Sequence, residues 1–444
     1  MFSRIKPHPA SAQVASPIDL ATGDLAAATI ARLSRRLLPL LFALYIVAYL
    51  DRVNVGFAAL AMNRQLGLGP EEFGLGAGLF FIGYFILEIP SNLILARIGA
   101  RRWIARILVS WGVAAIAMAA VRGPRSFYLL RATLGMAEAG FFPGVIFYLT
   151  SWFPSREQAR AIAIFMTATA LAGVIGGPLS GAILTIDGFL GLAGWQWLFV
   201  IEGLPAVVLG AVVLRYLPDR PEQAGWLSVE QRQWLIARLR HENRPTPPGG
   251  LCLGNIFDLQ VGLLSAIYFL LVSSLYGIAM WLPQIIRNFG ARSDFTIGLL
   301  AAIPYLIAAI AMVAVGRSSD RRGERRWHVA LSLFAAAGGF VLAADAHGAL
   351  ALAALSLAAL GTCAALGPFW SLARSSLNAE AAAAGIALIN SVGNLGGFVG
   401  PFAIGLLRQR SQAFAGALMG LGIAVTTAGI LGLLARPTVR ASEG

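Results

Sequence analysis

The sequence predicts an all-helical membrane protein whose twelve transmembrane helices form two pseudo-symmetric six-helix bundles. Of its 444 residues, 58% are hydrophobic and only 12% are charged, whereas an average soluble protein has about 25% charged residues. Apolar runs close to the ~20 residues that a helix needs to cross a bilayer recur along the chain. Short motifs also recur between its two halves. These observations exclude a soluble globular protein.

The apolar runs define twelve predicted spans. The spans cover residues 37–60, 73–96, 103–121, 126–150, 160–186, 196–217, 259–283, 296–316, 327–345, 348–373, 384–407 and 412–435. The chain is thereby divided into an N-terminal tail 1–36, an N-terminal bundle 37–217, a central loop 218–258, a C-terminal bundle 259–435 and a C-terminal tail 436–444. The first tail lacks the apolar segment of a signal peptide, so the N-terminus is predicted to stay in the cytoplasm.

The basic residues predict the orientation of the chain in the membrane. With both termini in the cytoplasm, the tails and inner loops carry 24 Lys and Arg residues and the outer loops carry 7. Cytoplasmic loops are enriched in these residues, so we expect both termini on the cytoplasmic side of a bacterial inner membrane. The net charge of +13 is distributed over short loop clusters and does not indicate a nucleic-acid partner.

The central loop 218–258 contains a predicted amphipathic helix. Ser228 and Gln231 have the spacing of a capping box, and the segment VEQRQWLIARLR follows Ser228 directly. Its apolar residues are expected to lie either on the membrane surface or against the ends of the bundles.

Residue counts narrow the possible chemistry. The only lysine is Lys6, in the N-terminal tail, so the spans offer no phosphate-loop or Schiff-base lysine. The four histidines lie in tails, loops or span ends, which argues against haem or zinc bound inside a bundle. The spans contain no nucleophile paired with a base. The sequence therefore predicts no cofactor, no metal and no enzymatic activity.

Repeated motifs indicate that the two halves arose by duplication. GARRW, beginning at Gly99, recurs as GERRW, beginning at Gly323, and LAGVIGGP, ending at Pro178, is echoed by LGGFVGP, ending at Pro401. Four such pairs occur in the same order at offsets of 223 to 226 residues. This arrangement is typical of transporters in which two bundles rock about a central site. Overlapping G-x-x-x-G steps at residues 173–181 predict close helix approach.

Charged residues inside spans 1 and 4 are the strongest indication of a functional site. A charge near the bilayer centre costs at least ~2.5 kcal/mol, yet span 1 holds Asp51 and Arg52 and span 4 holds Arg131 and Glu138. The last two lie seven residues apart on one predicted helix face. The four charges sum to zero, so they form either two structural ion pairs or a site in which protonation of a carboxylate attracts an anion.

Polar stripes extend the candidate site. Tyr45 and Tyr49 share a predicted face with Arg52. Five further residues are candidates for substrate contact: Tyr276, Trp281, Trp370, Asn390 and Asn394. The alternative for these residues is a role in helix packing alone. Glu88 and Glu202 are interpreted as groups that form packing or gate hydrogen bonds.

Several motifs resemble those of a known family. Residues 316–326, GRSSDRRGERR, are similar to the G-x-x-x-D-R-x-G-x-R-R loop motif of the major facilitator superfamily. The equivalent loop after span 2 has Asn92 and Ala96 in place of the first glycine and the aspartate. YLDRVNVGFA, FIGYFILEIPSNLIL, LGMAEAGFFPGVIFYLTSWFP and WQWLFVIEGLPAV resemble segments of its anion:cation symporters, most closely the bacterial tartrate and organic-acid transporters.

The resemblance implies roles for individual residues. It implies that Asp51 and Glu138 are proton-linked carboxylates, that Arg52 binds a substrate carboxylate and that Arg131 is a partner of Glu138. It adds Tyr84 to the substrate-binding candidates, which also include Arg131, and it implies a gating contact formed by Asp320, Arg321 and Arg97.

The predicted function is proton-coupled import of a small organic anion, such as a dicarboxylate or a tartrate-like sugar acid, by alternating access. An anion exchanger or a transporter-like sensor that uses the same pocket is the alternative. The expected partners are the organic anion, protons and the lipid bilayer, and the protein is expected to be a monomer.

Overall fold

The computed structural model describes residues 17–242, 259–290, 293–377 and 382–435. These residues form fifteen α-helices and three single 3-10 turns. The α-helices are α1 (Pro17–Leu66), α2 (Pro70–Ile98), α3 (Ala100–Ala117), α4 (Pro124–Glu138), α5 (Phe141–Trp152), α6 (Ser155–Leu184), α7 (Gly194–Tyr216), α8 (Val229–Glu242), α9 (Leu259–Asn288), α10 (Asp294–Arg322), α11 (Arg326–Asp345), α12 (Gly348–Ala364), α13 (Leu366–Ser375), α14 (Ala382–Ser411) and α15 (Ala415–Leu434).

The helices confirm the predicted twelve spans. Twelve of the helical segments are long and apolar enough to cross a membrane. Span 4 consists of α4 and α5, and span 10 consists of α12 and α13. The first interruption is at Ala139 and Gly140, where Gly140 has a φ of +85°, and the second is at Ala365. Ala139 and Ala365 are 226 residues apart, so the duplicated halves are interrupted at equivalent positions.

The N-terminal segment predicted as a tail, residues 1–36, includes the beginning of α1. Helix α1 begins at Pro17 and runs without interruption for 50 residues, about 75 Å at 1.5 Å per residue. It therefore extends well beyond a hydrocarbon core about 30 Å thick. Leu33 and Leu37, one turn apart, are fully buried. Packing of these side chains therefore stabilises the helix in a segment that is too polar to be predicted as a span from hydropathy. Residues 1–16 and 436–444 of the two tails lie outside the described residues.

Helix α8 packs against the end of the N-terminal bundle. The backbone N–H of Gln231 donates to Ser228 Oγ at 3.1 Å, and the Ser228 N–H donates to Gln231 Oε1 at 3.3 Å, so the predicted capping box is present. Leu235 is fully buried. The Arg32 guanidinium of α1 donates to Gln231 Oε1 at 3.4 Å. Of the two placements expected for this helix, the structure has the one against the bundle. Residues 243–258 of the central loop lie outside the described residues.

The two halves meet along three helix pairs: α1 with α9, α2 with α14 and α6 with α10. We call the end of the molecule that carries α8 the central-loop end, and the other the opposite end. Glycines allow close approach in the part of each pair nearer the opposite end. A Cβ on Gly56 would lie 2.5 Å from Met280 O, on Gly74 2.6 Å from Pro401 O, and on Gly177 2.4 Å from Gly298 O. The halves are therefore closed at the opposite end.

This closure makes one glycine a test of conformational change. Gly177→Ala places a methyl group against the Gly298 backbone, so we expect it to disfavour the conformation closed at the opposite end. Spin labels at Thr185 and Ser293, near the ends of α6 and α10, should report longer distances in the variant. Gly338→Ala is the control, because a Cβ there meets nothing within 4 Å. An unchanged distance distribution would contradict the expectation.

Candidate functional site

The Arg52 guanidinium lies where the two halves meet in the interior. Its Nη2 forms an ion pair with Glu138 Oε1, and its Nη1 donates to the Tyr276 hydroxyl at 3.0 Å. The Arg52 side chain is 12% exposed and that of Glu138 is fully buried. Arg52 and Tyr276 are 224 residues apart, which is the offset of the GARRW repeat. They therefore occupy equivalent positions on spans 1 and 7.

The position of Glu138 follows from the interruption of span 4. Glu138 is the last residue of α4, directly before the turn at Ala139 and Gly140. Its second oxygen, Oε2, has no hydrogen-bond partner among the described residues. One carboxylate oxygen thus binds Arg52, and the other is left without a protein partner at the interior end of a broken helix.

The predicted pairing of Arg131 with Glu138 is not observed. Glu138 forms its ion pair with Arg52, while Arg131 Nη2 donates to Ala77 O at 3.1 Å. Seven residues correspond to about 10 Å along a helix, so residues that share a face at this spacing are too far apart for direct contact. Phe80 links the two arginines, because its ring centroid is 5.3 Å from Arg52 Cζ and 5.1 Å from Arg131 Cζ. Arg131 is fully buried, and its link to the Arg52 site is the ring of Phe80.

Asp51 lies in a different environment from its neighbour Arg52. Trp111 Nε1 donates to Asp51 Oδ2 at 2.8 Å, and Asn54 Nδ2 donates to Oδ1 at 3.3 Å. Successive residues on a helix point about 100° apart, so Asp51 faces α3 inside the N-terminal bundle while Arg52 faces the other half. The two predicted proton-linked carboxylates are thus separated.

The two remaining buried glutamates make different contacts. Glu202 Oε1 accepts a hydrogen bond from Ser180 at 2.8 Å inside the N-terminal bundle. Glu88 Oε1 accepts one from Asn390 Nδ2 at 3.2 Å, which joins α2 to α14. Asn394 lies one turn further along α14. Asn390 therefore contacts the other half of the protein. Packing or gate hydrogen bonds are predicted for both glutamates; Glu202 has a contact within one bundle and Glu88 a contact between the halves.

The three predicted tyrosines of spans 1 and 2 have different surroundings. Tyr84 lies beside Arg52, with 5.4 Å between its ring centroid and Arg52 Cζ. Tyr45 is turned towards Phe165, on which it stacks at 4.5 Å. Tyr49 packs in a separate small cluster that includes Ala172 of α6 and Ala279 of α9. Only Tyr84 of these three contacts the guanidinium.

In the C-terminal half, Trp370 and Trp281 belong to two different aromatic groups, and Trp281 packs edge-on against Phe73 with 4.9 Å between the ring centroids. The Trp370 ring is 4.8 Å from the ring of Tyr268, which also stacks on Phe369. Sequence analysis missed Tyr268, although its offset of 223 from Tyr45 could have identified it. Trp281 is fully buried and donates to Pro401 O at 3.0 Å. It packs between helices near the opposite end and is not brought to Arg52.

The predicted gating residues lie at the central-loop end. Asp320 Oδ1 accepts a hydrogen bond from Arg325 Nη1 at 2.7 Å, so its contact is local to the loop between α10 and α11. Arg321 and Arg97 are exposed. Partial burial opposes ionisation of Glu324 in the same loop, but hydrogen bonds from the Trp327 and His328 N–H groups prevail and lower its pKa.

Asp219 contacts the loop after span 2, in which the motif aspartate is missing. Its Oδ1 accepts a hydrogen bond from the Arg101 backbone N–H at 2.8 Å, at the first turn of α3. A carboxylate is favourable there because it satisfies a free N–H and interacts with the helix dipole. Sequence analysis missed Asp219 because it lies 118 residues from Arg101.

One known protein family matches most of this chain. A family model described as Major Facilitator Superfamily matches residues 41–401. The chain belongs to the Major Facilitator Superfamily. Members of this superfamily are membrane transporters and not enzymes.

Two relatives in the Major Facilitator Superfamily are similar over most of their length. The chain is 46% identical over 426 residues to a protein of Agrobacterium vitis named "Putative tartrate transporter", with 95% of this chain and 94% of that protein covered. It is 45% identical over 399 residues to a protein of Acinetobacter baumannii named "Quinolone resistance transporter", with 87% and 90% covered.

A solved structure supports the Major Facilitator Superfamily fold. A bacterial homologue of the human lysosomal transporter Spinster, in an inward-facing and occupied conformation, matches with a TM-score of 0.76. The match covers 92% of this chain and 98% of that chain, at 16% identity. At this identity the likeness concerns the fold alone.

Among the described residues of this superfamily member, buried charged side chains occur in the N-terminal half. In the part of the chain that the structure describes, the buried charged side chains are Asp51, Glu88, Arg131, Glu138 and Glu202. All five belong to α1, α2, α4 and α7, and the buried polar side chains described in α9 to α15 are uncharged. The C-terminal half contributes the Tyr276 hydroxyl to Arg52.

The contact of Asp219 leads to a stability prediction. Asp219→Ala leaves an N–H at the start of α3 without its acceptor, so we expect a loss of about 1 kcal/mol and a lower unfolding temperature in detergent. Asp320→Ala is the matched control, since the Asp320 side chain is 71% exposed and such surface pairs contribute little. A larger loss for Asp320→Ala than for Asp219→Ala would contradict the assignment.

Proposed function

We propose that the protein is a proton-coupled symporter that imports a small organic anion, such as a dicarboxylate or a tartrate-like sugar acid, by alternating access. The observation that carries the proposal is the interior guanidinium of Arg52, held between Glu138 and Tyr276. A guanidinium binds a carboxylate through two parallel hydrogen bonds, and ionisable groups inside a membrane mark substrate or proton pathways. The tartrate name of the Agrobacterium vitis relative supports this substrate class.

In the proposed mechanism, proton and anion transport are coupled because Glu138 and the substrate carboxylate compete for the Arg52 guanidinium. An ionised Glu138 carboxylate occupies Arg52, and a substrate carboxylate must displace it. A proton added to Glu138 removes its charge, weakens the ion pair and leaves the positive charge of Arg52 to attract the anion. Proton binding and anion binding therefore favour each other, and by linkage the effect is reciprocal. Tyr84 and Tyr276 are proposed to orient the bound anion, and Asp51 is proposed as a second proton-linked carboxylate.

The membrane orientation is part of the same proposal. The exposed arginines at the central-loop end support a cytoplasmic location for this end in a bacterial inner membrane, with both termini on that side. Division of the chain into bundles at residues 217 and 259, and a monomeric state, are also proposed. Asp320, Arg321 and Arg97 are then placed at the cytoplasmic gate.

Uptake into proteoliposomes tests the proposed function. Labelled L-tartrate, a galactonate-like sugar acid and an aromatic acid are offered with and without an inward proton gradient. We expect accumulation of at least one anion that depends on the gradient. Counterflow without gradient-driven accumulation would favour the alternative, an anion exchanger. A complete lack of movement of these anions, by a protein shown to be folded, would contradict the proposal and favour a sensor or a different substrate.

A further inference from the structure

A cavity of about 740 Å³ lies at the opposite end of the molecule, outside the closed contacts between the halves. Its lining includes three arginines from three different spans: Arg64 of α1, Arg287 of α9 and Arg408 of α14. The volume is within the ~300 to 1,000 Å³ of small-molecule sites. Both halves of the protein contribute to it, and its titratable lining residues are basic.

One of the three arginines holds the halves together. Arg287 Nη1 donates to Leu60 O at 2.6 Å, which joins α9 to α1, and its Nη2 forms an ion pair with Asp294. The charge of Arg287 is therefore compensated, and its N–H donors are used in contacts that hold the two halves together at this end. Arg287 lines the cavity together with Leu60, whose carbonyl accepts its hydrogen bond.

The other two arginines keep donors available. Arg408 Nη1 donates to Gln284 Oε1 at 2.9 Å, and its guanidinium lies 4.2 Å from the ring centroid of Phe414. Arg64 is exposed, and its one described contact is a long hydrogen bond of 3.4 Å to Leu60 O within its own helix. A guanidinium has five N–H donors. Neither residue has an ion pair among the described residues, so two positive charges face the cavity uncompensated.

Gln284 positions one of these two arginines. Its side chain lines the cavity, and its Oε1 accepts the hydrogen bond from Arg408 Nη1 at 2.9 Å. This contact uses one of the five N–H donors of Arg408. A carboxylate in the cavity would accept N–H donors of Arg64 and Arg408.

We propose that this cavity is a capture site for carboxylate-bearing anions, at which the solute binds before the halves open and admit it to Arg52. The inference rests on the proposed function, because it assumes that the transported solute is an organic anion. Leu60 is eight residues from Arg52, about 12 Å along α1, so the capture site and the Arg52 site are distinct. Charged clefts concentrate counter-ions and raise their association rates.

A cysteine-labelling experiment tests the site without transport. Asn288 is exposed and lines the cavity. In an Asn288→Cys variant, the ratio of the labelling rates of a negatively and a positively charged methanethiosulfonate reagent should exceed the same ratio for free 2-mercaptoethanol, and L-tartrate should slow the reaction. Adding Arg64→Gln and Arg408→Gln should remove both effects, whereas adding Arg410→Gln, an exposed arginine outside the lining, should not. A ratio equal to that of the free thiol and no protection by tartrate would overturn the proposal.

Uptake kinetics test the role of the same two arginines in transport. At low salt, the Arg64→Gln/Arg408→Gln variant should show a roughly tenfold higher KM for L-tartrate offered from the opposite end, with an unchanged maximal rate. The difference should shrink at 1 M salt, where the Debye length is about 3 Å. A fall in maximal rate with unchanged KM would assign the arginines to the gate instead. If tartrate slows labelling of the Asn288→Cys variant but is not transported by the wild-type protein, the capture site stands and the proposed function fails for this anion.

Discussion

A Glu138→Gln variant is expected to lose proton-driven accumulation while it retains exchange of the anion. Glutamine has the size of glutamate and cannot ionise, so it resembles the permanently protonated carboxyl group that leaves Arg52 free. The anion should still bind and counterflow should persist, but the ratio of internal to external anion under a proton gradient should fall to about one, because proton binding no longer varies along the cycle. Both quantities are measured in the same proteoliposomes.

Glu71→Gln is the control for this experiment, because Glu71 is exposed in the first turn of α2. It should accumulate the anion as the wild type does. Undiminished accumulation by Glu138→Gln would remove Glu138 from the coupling mechanism and leave Asp51 as the remaining candidate. Loss of counterflow as well as accumulation would mean that Glu138 is needed for binding or for movement of the halves.

Arg52→Lys should abolish most anion binding in a protein that still folds. An ammonium group cannot reproduce the two parallel hydrogen bonds of a guanidinium, and the lysine can still form an ion pair with Glu138. Losing a charge-assisted hydrogen bond costs roughly 1.5 to 3 kcal/mol, which corresponds to about a tenfold to hundredfold weaker affinity for L-tartrate. Isothermal calorimetry in detergent measures the affinity, and thermal unfolding checks the fold.

Arg106→Lys is the matched control. Its guanidinium stacks on Trp103, with 4.0 Å between Arg106 Cζ and the ring centroid, and Arg106 lies in a span without contacting the Arg52 site. It should bind the anion as tightly as the wild type. Wild-type affinity in Arg52→Lys would contradict the role of Arg52, and equal losses in both variants would indicate a general effect of replacing buried arginines.

The twelve spans and their duplication could be predicted from the sequence because both depend on local patterns. Hydropathy finds each span by itself, and the repeated motifs appear at nearly constant offsets. The capping box at Ser228 and Gln231 is equally local. The helical extension of α1 could not be found in this way, because Leu33 and Leu37 are buried by helices that are distant in the sequence.

The contacts of the charged residues depended on tertiary structure. Sequence analysis placed Arg52 and Glu138 in the same site, but it could not choose Arg52 over Arg131 as the partner of Glu138. Helical periodicity gives the face on which a residue lies and not the helix that it meets. For the same reason Asp51 and Arg52 could be named together, although one binds Trp111 and the other binds Glu138. Asp219 was missed because no local pattern joins it to α3.

The confinement of buried charge, among the described residues, to α1, α2, α4 and α7 has a consequence for how substrate range diverges. After duplication, one copy of the Arg52 position kept an ion and the equivalent copy holds a phenol, Tyr276. Under the proposed coupling, substitutions in the charged copy alter the energetic link between proton and solute, whereas substitutions in the neutral copy alter the shape and hydrogen bonding of the pocket. New substrate specificities should therefore arise, in evolution and in laboratory selection, mainly through changes in the C-terminal half around Tyr268, Tyr276 and Trp370.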